Sequence, residues 1–594
     1  MASTTDSPET TADTPLGPSS PVSDKVRSDR ELLQQAQAEG KTWSAYVKLS
    51  GPGWLQSAIT LGGGSLAGSL FLGVLGGVSM LWLQLAAIVL GVIMLSAISY
   101  VTLSTGRRPF EAINTEINPA LGWGWLIATA MANMIWCMPQ FSLCYDALDE
   151  NLFTLGGGSG LGEGARMKWT VSVLLLVAAG LVVLLKVREG KAAKAFDLFL
   201  KTLIGMVVIC FFAVTILLVA KGQVDLVAVL GGLIPDFSQW AQPAGQLEQN
   251  FEGLSSVATD FWTGRLVTAQ RMVMIAAAAT AVGINMTFLM PYSMLARGWD
   301  KPFRGLARFD LATGMAIPFV IVTSCVVVAA ASSFHNRIDD QLASSELEVM
   351  QQSPAFAGVE GNLIARIDAE LGPEAAAETS REAKLQMAAG LPVAEKRLAA
   401  ALVQRNAFEL SKTLAPLLGD NLAALIFGLG VFGMGFSTII ILMLINGYAF
   451  REMFGKPDAA GPFVAGVLVA GLFGLSWVAV WAGEARFWLA IFASTFGMML
   501  LPIAYVTFFL MMNSRRILGD EMPTGGRRWG WNIAMGIAVV GAFAAAATAI
   551  YDKAMDKEQP MAFYAVTTLL IVYLAIVVVG FATNRSHQKG AAAA

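Results

Sequence analysis

The sequence predicts an all-α membrane protein of about 12 transmembrane helices, arranged as two inverted five-helix repeats with broken helices at spans 1 and 6. Three observations predict it. The 594 residues are 55% hydrophobic and 14% charged, against about 25% charge in soluble domains. From Leu49 to Gly106 there is no Asp, Glu, Lys, Arg or His, a length that holds two spans of about 20 residues each. Weak, glycine-bearing segments interrupt the first and the sixth apolar runs at matching places.

Residues 1–47 are polar and rich in Ser, Thr, Pro and Asp. They read as a disordered cytoplasmic tail with a short helix at 28–38, and no apolar signal segment precedes the first span. Apolar runs then place spans at 52–74, 78–104, 121–145, 168–187, 195–220, 268–296, 308–333, 417–449, 461–482, 486–512, 530–550 and 561–582. Arg and Lys gather after the even-numbered spans, as at Arg107, Arg108, Lys191, Arg297, Arg451 and Arg515. The positive-inside rule makes those loops cytoplasmic. The expectation is an integral, multi-pass protein of the bacterial cytoplasmic membrane with both termini cytoplasmic.

Residues 48–220 form the first repeat and 268–512 the second, with 221–267 an extracytoplasmic loop. The segment 334–416 is an extracytoplasmic insertion, either a small helical cap or partly ordered. Residues 513–584 carry two peripheral helices, and 585–594 are a cytoplasmic tail.

Span 1 divides into Pro52 to Leu61 and Ser65 to Val74, with Gly62, Gly63 and Gly64 between. Span 6 has its weak middle at Ala281-Val282-Gly283-Ile284-Asn285, with Pro291 beyond. Matching interruptions in two halves point to a midplane substrate site. An unwound segment frees N–H and C=O groups that lipid cannot satisfy, so they must line a polar cavity or be buried in protein. Ser65 is placed as an N-cap of the second half-helix. Close packing is the competing explanation, since Gly64 and Gly68 have small-xxx-small spacing.

The runs GPGWLQSAITLGGGS, GGLIPDF, LAPLLGDNLAALIFGLGVFGMGFSTI and LLPIAYVTFFLMMNSRRILGD resemble, in order, segments of the Nramp (SLC11) family of divalent-metal transporters. The resemblance implies the LeuT fold and a secondary transporter that alternates access by rocking a bundle containing spans 1 and 6. It implies a substrate site at Gly62, Gly63, Gly64, Ser65, Ala281, Gly283, Ile284, Asn285 and Met286.

The family's side-chain ligands have no counterpart here. Its Asp-Pro-Gly-Asn motif aligns with Gly62 to Ser65, and its Ala-x-x-Met-Pro-His motif with Ala281 to Met286. The Ala carbonyl can persist, but Ile284 and Met286 stand where the family has Met and His. A helix 10 Gln position falls near Leu500. The acids of the family's helix 3 and the arginines of its helix 9 are also missing. No side-chain metal site, cofactor or coupling ion is therefore assigned.

The partners expected are the lipid bilayer and a small ion or solute. Three functional readings stay open. The first is a transporter of a divalent cation, hydrated Mg²⁺ included, since that ion sheds water reluctantly. The second is a transporter of a neutral or organic solute. The third is a transport-inactive sensor or scaffold with 334–416 as its binding module.

Other residues carry blander expectations. The net charge of −3 gives nucleic acid no purchase. Cys137, Cys144, Cys210 and Cys325 lie in apolar runs without zinc spacing and read as core. His335 and His587 lie outside the spans. Met286, Met290 and Met294 share a helix face, as do Met131, Met134 and Met138; both stripes read as packing. Gln140, Tyr292 and Asn446 read as hydrogen bonds between helices. Asp310 reads as an interfacial salt bridge beside Arg304 and Arg308, and Lys201 as a snorkelling cation. No nucleophile-base pair, phosphate loop or carboxylate pair lies in the spans, so no enzyme is expected.

Overall fold

The computed structural model of the chain describes residues 24–162, 164–187, 191–403, 405, 407–480, 489–554, 567–568 and 570–583. Among them, 10 helical stretches are long and apolar enough to cross a membrane. One of these, Gly63–Thr105, runs through the tight turn at Gly77–Met80 and holds parts of two expected spans. The last expected span is described only as the shorter apolar helix Leu570–Thr583. The tails 1–23 and 584–594 lie outside the described residues.

The helices run in chain order as α1 (Asp24–Ala38), α2 (Thr42–Leu49), α3 (Pro52–Thr60), α4 (Gly63–Gly76), α5 (Leu81–Thr105), α6 (Pro119–Asp146), α7 (Ala165–Val187) and α8 (Lys191–Ala220). They continue as α9 (Ser256–Ala281), α10 (Ile284–Leu295), α11 (Arg304–Leu311) and α12 (Ile317–Phe334). Among the helices of the insertion are α13 (Phe356–Glu378), α14 (Arg381–Ala389) and α15 (Val393–Ala401). The chain then returns as α16 (Asp420–Met453), α17 (Ala460–Leu475), α18 (Leu489–Met512) and α19 (Gly525–Ala554).

Two expected boundaries need correction. The helix expected at 28–38 is present and starts earlier, at Asp24, and residues 42–49 are helical as well, so the reading of disorder up to residue 47 fails for 24–27 and 42–47. Their apolar side chains explain the order: Leu33 and Ala45 are buried, and Trp43 and Tyr46 both pack on Phe309. Helix α9 starts at Ser256, twelve residues before the expected span, because the Ser255 hydroxyl accepts the Ala258 N–H. The loop expected at 221–267 therefore shrinks to the stretch before Ser256, and short helical turns occupy much of it.

Helix α16 lies at the centre, with most of its residues from Phe427 to Ala449 buried. It packs against α6, α8 and α17. Gly447 and Gly466 set the closest approach, since a Cβ at Gly466 would lie 2.3 Å from the Asn446 carbonyl oxygen. Asn446 also accepts a hydrogen bond from Asn133 of α6 at 3.0 Å, the polar helix contact expected of it. At the periphery, Leu174, Leu181, Ile209 and Val540 are exposed apolar side chains. An apolar outer surface is what a bundle in lipid requires.

The start of α3 is anchored by Asp310. Its carboxylate accepts the Gly51 N–H at 3.1 Å and the Gly53 N–H at 2.7 Å. These are orphan donors of a helix N-terminus, where negative charge is favoured. The expected ion pair of Asp310 with Arg304 or Arg308 is thus corrected: the carboxylate serves α3. Arg304 instead pairs with Glu521 at 2.7 Å. Lys301 and Arg304 hydrogen-bond Glu521 and hold its carboxyl below the usual range. Lys201, expected to snorkel, donates to the Ser50 carbonyl at 3.1 Å.

Further ion pairs cluster at this same end, including Arg297 with Asp197 at 2.7 Å and Arg108 with Glu452 at 3.1 Å. Arg30 of α1 reaches Asp300 at 2.5 Å.

Replacing Asp310 by Ala leaves two buried N–H groups unpaired, each costing roughly 1–3 kcal/mol. The expected result is a lower unfolding temperature in detergent for Asp310→Ala, with a smaller loss for Asp310→Asn, which keeps an acceptor. Equal stability of Asp310→Ala and the parent would refute the anchoring role.

Candidate functional site

Both interruptions read from the sequence are breaks in the helices. Between α3 and α4 the chain unwinds at Leu61 and Gly62, and Gly62 is extended. Between α9 and α10 it unwinds at Val282 and Gly283, both extended. The two breaks face a common centre with α6, α16 and α18 around them.

Side chains hydrogen-bond the backbone around both breaks. The Gly63 N–H donates to Gln140 Oε1 of α6 at 2.8 Å. The Ser65 hydroxyl donates back to the Gly62 carbonyl at 2.8 Å. Asn285 Oδ1 accepts the Met286 N–H at 2.9 Å. Gln56 of α3 ties the two broken helices together by donating to the Met286 carbonyl at 3.2 Å. One expectation changes: the N-cap of α4 is Gly62, not Ser65, and Ser65 sits in the first helical turn.

The three glycines abut three different walls. A Cβ at Gly62 would lie 2.5 Å from Thr438 Oγ1 on α16. At Gly63 it would lie 2.9 Å from Leu143 and 3.0 Å from Gln140, both on α6. At Gly64 it would lie 2.8 Å from Ser494 Oγ on α18 and 2.9 Å from Thr280 on α9. Gly68, one turn further, sits 3.1 Å from the Ala277 backbone on the same measure. Unwinding and close packing, the two competing explanations of GGGS, therefore coexist.

A small cavity lies between the breaks. Its walls include Gly62, Gly64, Ser65, Gln140, Thr280, Met286, Thr438 and Ser494, with Ile59, Trp136, Pro139 and Ala490 supplying apolar surface. The space open to the centre of a water-sized sphere is about 20 Å³, and one water needs roughly 10–15 Å³ on that measure.

Of the residues expected from the sequence, Gly62, Gly64, Ser65 and Met286 line this cavity. Gly63 and Asn285 serve the backbone instead. Gly283 packs under the Trp136 ring, which a Cβ would approach to 2.4 Å. Ile284 and Ala281 are buried in the core. Sequence reasoning missed Thr280, Thr438, Ser494 and Trp136, and it gave Gln140 only an interhelical role. The available signal was a hydroxyl residue near a glycine in mid-span, as in GFST and FASTFG.

The chemistry of the wall is consistent. Thr438 donates to the Ala58 and Met434 carbonyls at 3.0 and 2.8 Å. Thr280 donates to the Ala277 carbonyl at 2.8 Å and Ser494 to the Ala490 carbonyl at 2.7 Å. A carbonyl can only accept, so each hydroxyl commits its hydrogen to the backbone. With Ser65, four hydroxyl oxygens are left with lone pairs and no spare hydrogen. Among the described residues, no three His, Cys, Asp or Glu side chains come together as a metal-binding group.

The family model described as natural resistance-associated macrophage protein-like, Nramp, matches residues 53–353 and 387–552. The chain belongs to the Nramp family. It is a secondary transporter of the Nramp type, a transport class and not a catalytic one. No curated protein matches the chain in sequence.

Among solved structures, the manganese transporter of Eremococcus coleocola bound to an aromatic bis-isothiourea compound has TM-score 0.60 at 13% identity, covering 92% of this chain and 96% of that one. A variant of that transporter with a glutamate changed to glutamine has TM-score 0.52 at 14% identity over the same 92% and 96%. At such identities the likeness is one of fold.

The glycine contacts predict a size-dependent defect. Gly62→Ala pushes a methyl into Thr438, and the expected outcome is a lower unfolding temperature and impaired transport. Adding Thr438→Ala, which removes the nearest obstructing atoms, restores part of the stability. A Gly62→Ala protein as stable as the parent would show that the close contact is not limiting.

Proposed function

We propose that this Nramp-family chain carries a divalent cation across the membrane with part of its water shell retained, Mg²⁺ being the ion of best fit. The carrying observation is the ring of four hydroxyl oxygens whose hydrogens are spent on backbone carbonyls. Hard oxygen lone pairs suit Mg²⁺, which dehydrates reluctantly and keeps several waters when bound. Stripping the ion fully would need anionic ligands to offset the desolvation cost, and the cavity walls carry none. Water retained on the ion meets those lone pairs as a hydrogen-bond donor.

The cavity volume bears on the mechanism. Room for one or two water-sized groups is less than a hydrated ion occupies, so the site must widen to load. The proposed cycle is alternating access, with α3 and α10 moving against α16 and the ion held between the breaks. Two inverted five-helix repeats broken at spans 1 and 6, with spans 11 and 12 peripheral, are the architecture this cycle uses. The sequence-derived site residues Gly62, Gly64, Ser65 and Met286 are its proposed binding set, joined by Gln140, Thr280, Thr438 and Ser494. The end bearing α1, α2 and the clustered ion pairs is taken as cytoplasmic, in line with the loop charges.

The test is uptake into proteoliposomes read with Mg²⁺- and Mn²⁺-sensitive dyes. The parent protein is expected to pass Mg²⁺. Thr438→Val and Ser494→Ala should each cut the rate about tenfold, as loss of an interaction worth ~1.4 kcal/mol implies. Absence of any divalent flux or binding by the folded parent, or full activity of both variants, would overturn the proposal.

A further inference from the structure

His335 follows the last residue of α12 and is buried with both ring nitrogens engaged. Nδ1 lies 2.9 Å from the Val74 carbonyl, and Nε2 lies 3.1 Å from the Gln246 backbone nitrogen. A carbonyl only accepts and a backbone N–H only donates. The ring must therefore be neutral, with its proton on Nδ1 and a lone pair on Nε2. No other protonation state satisfies both contacts.

The two groups it joins belong to different parts of the bundle. Val74 is in the last turn of α4, whose carbonyls have no partners within the helix. Gln246 is in the turn Gly245–Phe251 of the loop before α9. That loop is also tied to α9, because Gln270 accepts the Ala244 N–H at 3.2 Å and donates to the Gln242 carbonyl at 2.9 Å. Gln239 of the same loop donates to the Ser79 carbonyl at 3.2 Å and accepts from Trp82 at 2.9 Å. The loop thus bridges the end of α4 remote from its break to the middle of α9, the two half-helices that flank the site. The packing is tight: a Cβ at Gly77 would meet the imidazole at 2.8 Å, and one at Gly245 at 2.6 Å.

We propose that His335 is a positioning residue, a proton-operated latch that clamps the loop 239–251 to the end of α4 when neutral and releases it when protonated. A proton on Nε2 would point at the Gln246 N–H, so donor would face donor and that bond would be lost. The link between α4 and the loop then loosens, and α4 and α9 gain freedom to part on the cap side. This last consequence rests on the transport reading above; the latch itself does not.

The surroundings favour the neutral ring. Burial pushes the His335 imidazole below its usual range, partly opposed by its bond to the Val74 carbonyl. A group whose folded value is depressed contributes stability that is present above its unfolded value and lost as pH falls through the folded one. The latch is therefore closed at neutral pH and opens in acid. The ring borders a cavity of about 580 Å³ that gives protons a route to it. Charged groups on the neighbouring elements are Asp225, Asp236 and Arg337 in the same cavity wall, and Glu248 two residues past Gln246. The Asp225 and Asp236 carboxylates accept N–H groups of their own turns, and none of the four hydrogen-bonds the ring. Helices α4 and α12 bring no charged residue to it.

The chain has 2 histidines, so ¹⁵N-histidine NMR of the full protein in nanodiscs resolves the ring, with His587→Gln assigning the second signal. The expected result is a neutral, Nδ1-protonated His335 that titrates below free histidine. Hydrogen exchange of residues 244–251, corrected for its intrinsic pH dependence, should lose protection at least tenfold across that titration while α6 is unchanged. In His335→Asn, which keeps a donor for Val74 but cannot titrate, protection should not vary with pH.

An Nε2-protonated ring, or loop protection indifferent to the titration, would overturn the latch. So would a loss of protection with acid that persists in His335→Asn. If that variant does not fold, the tautomer and exchange in the unmodified protein still decide. None of these readouts depends on flux, so failure of divalent transport leaves the latch standing and the reverse also holds.

Discussion

Every backbone N–H and C=O released inside the bundle must find a partner in the protein or in a polar cavity, because lipid supplies none and each unpaired group costs several kcal/mol. The site is organised around that requirement. Breaking α3 from α4 and α9 from α10 exposes polar backbone at the centre of the molecule. Gln140 accepts the Gly63 N–H, Asn285 accepts the Met286 N–H, and Thr438 donates to the Ala58 carbonyl. The same logic explains Asp310, which is buried because it serves the donors at the start of α3. A carboxylate at an exposed interface would have no such reason to be there.

The glycine triplet is the steric face of that requirement. Unwound chain can be buried only if the surrounding helices come close enough to supply partners. At Gly62, Gly63 and Gly64 they come so close that no Cβ fits without displacement. The walls that approach there bring hydroxyls and one amide and no charge. A transported cation would keep its own solvation shell as the source of polarity. The protein supplies oriented lone pairs, which avoids the desolvation penalty of burying a carboxylate.

The sequence was most legible where periodicity and composition speak for whole helices. Membrane spans, their rough number, both breaks and the family followed from apolar runs, loop charges and ordered motifs. Local polarity misled at two points. Residues 39–47 read as disordered tail because their apolar positions are sparse, yet Trp43 and Tyr46 have a surface waiting for them at Phe309 on the bundle. Asp310 read as an ion pair because Arg304 and Arg308 adjoin it in the chain, whereas its partners, Gly51 and Gly53, are some 257–259 residues away. Sequence neighbours are not spatial neighbours when the acceptor is backbone.

By itself, the sequence determined that this chain is an all-α membrane protein of the Nramp type, that spans 1 and 6 break, and that the family's side-chain ligands are missing. These follow from residue identity and from periodic burial, which are local properties. Tertiary structure alone decided which side chains wall the cavity between the breaks: Thr280, Thr438 and Ser494 come from three separate helices. Each is an unremarkable hydroxyl in an apolar run until packing turns it toward the breaks. It also decided that His335 bridges two elements and has one permitted tautomer. Hydrogen-bond partners drawn from distant segments are set by the packing of helices against one another, and no single stretch of sequence encodes them.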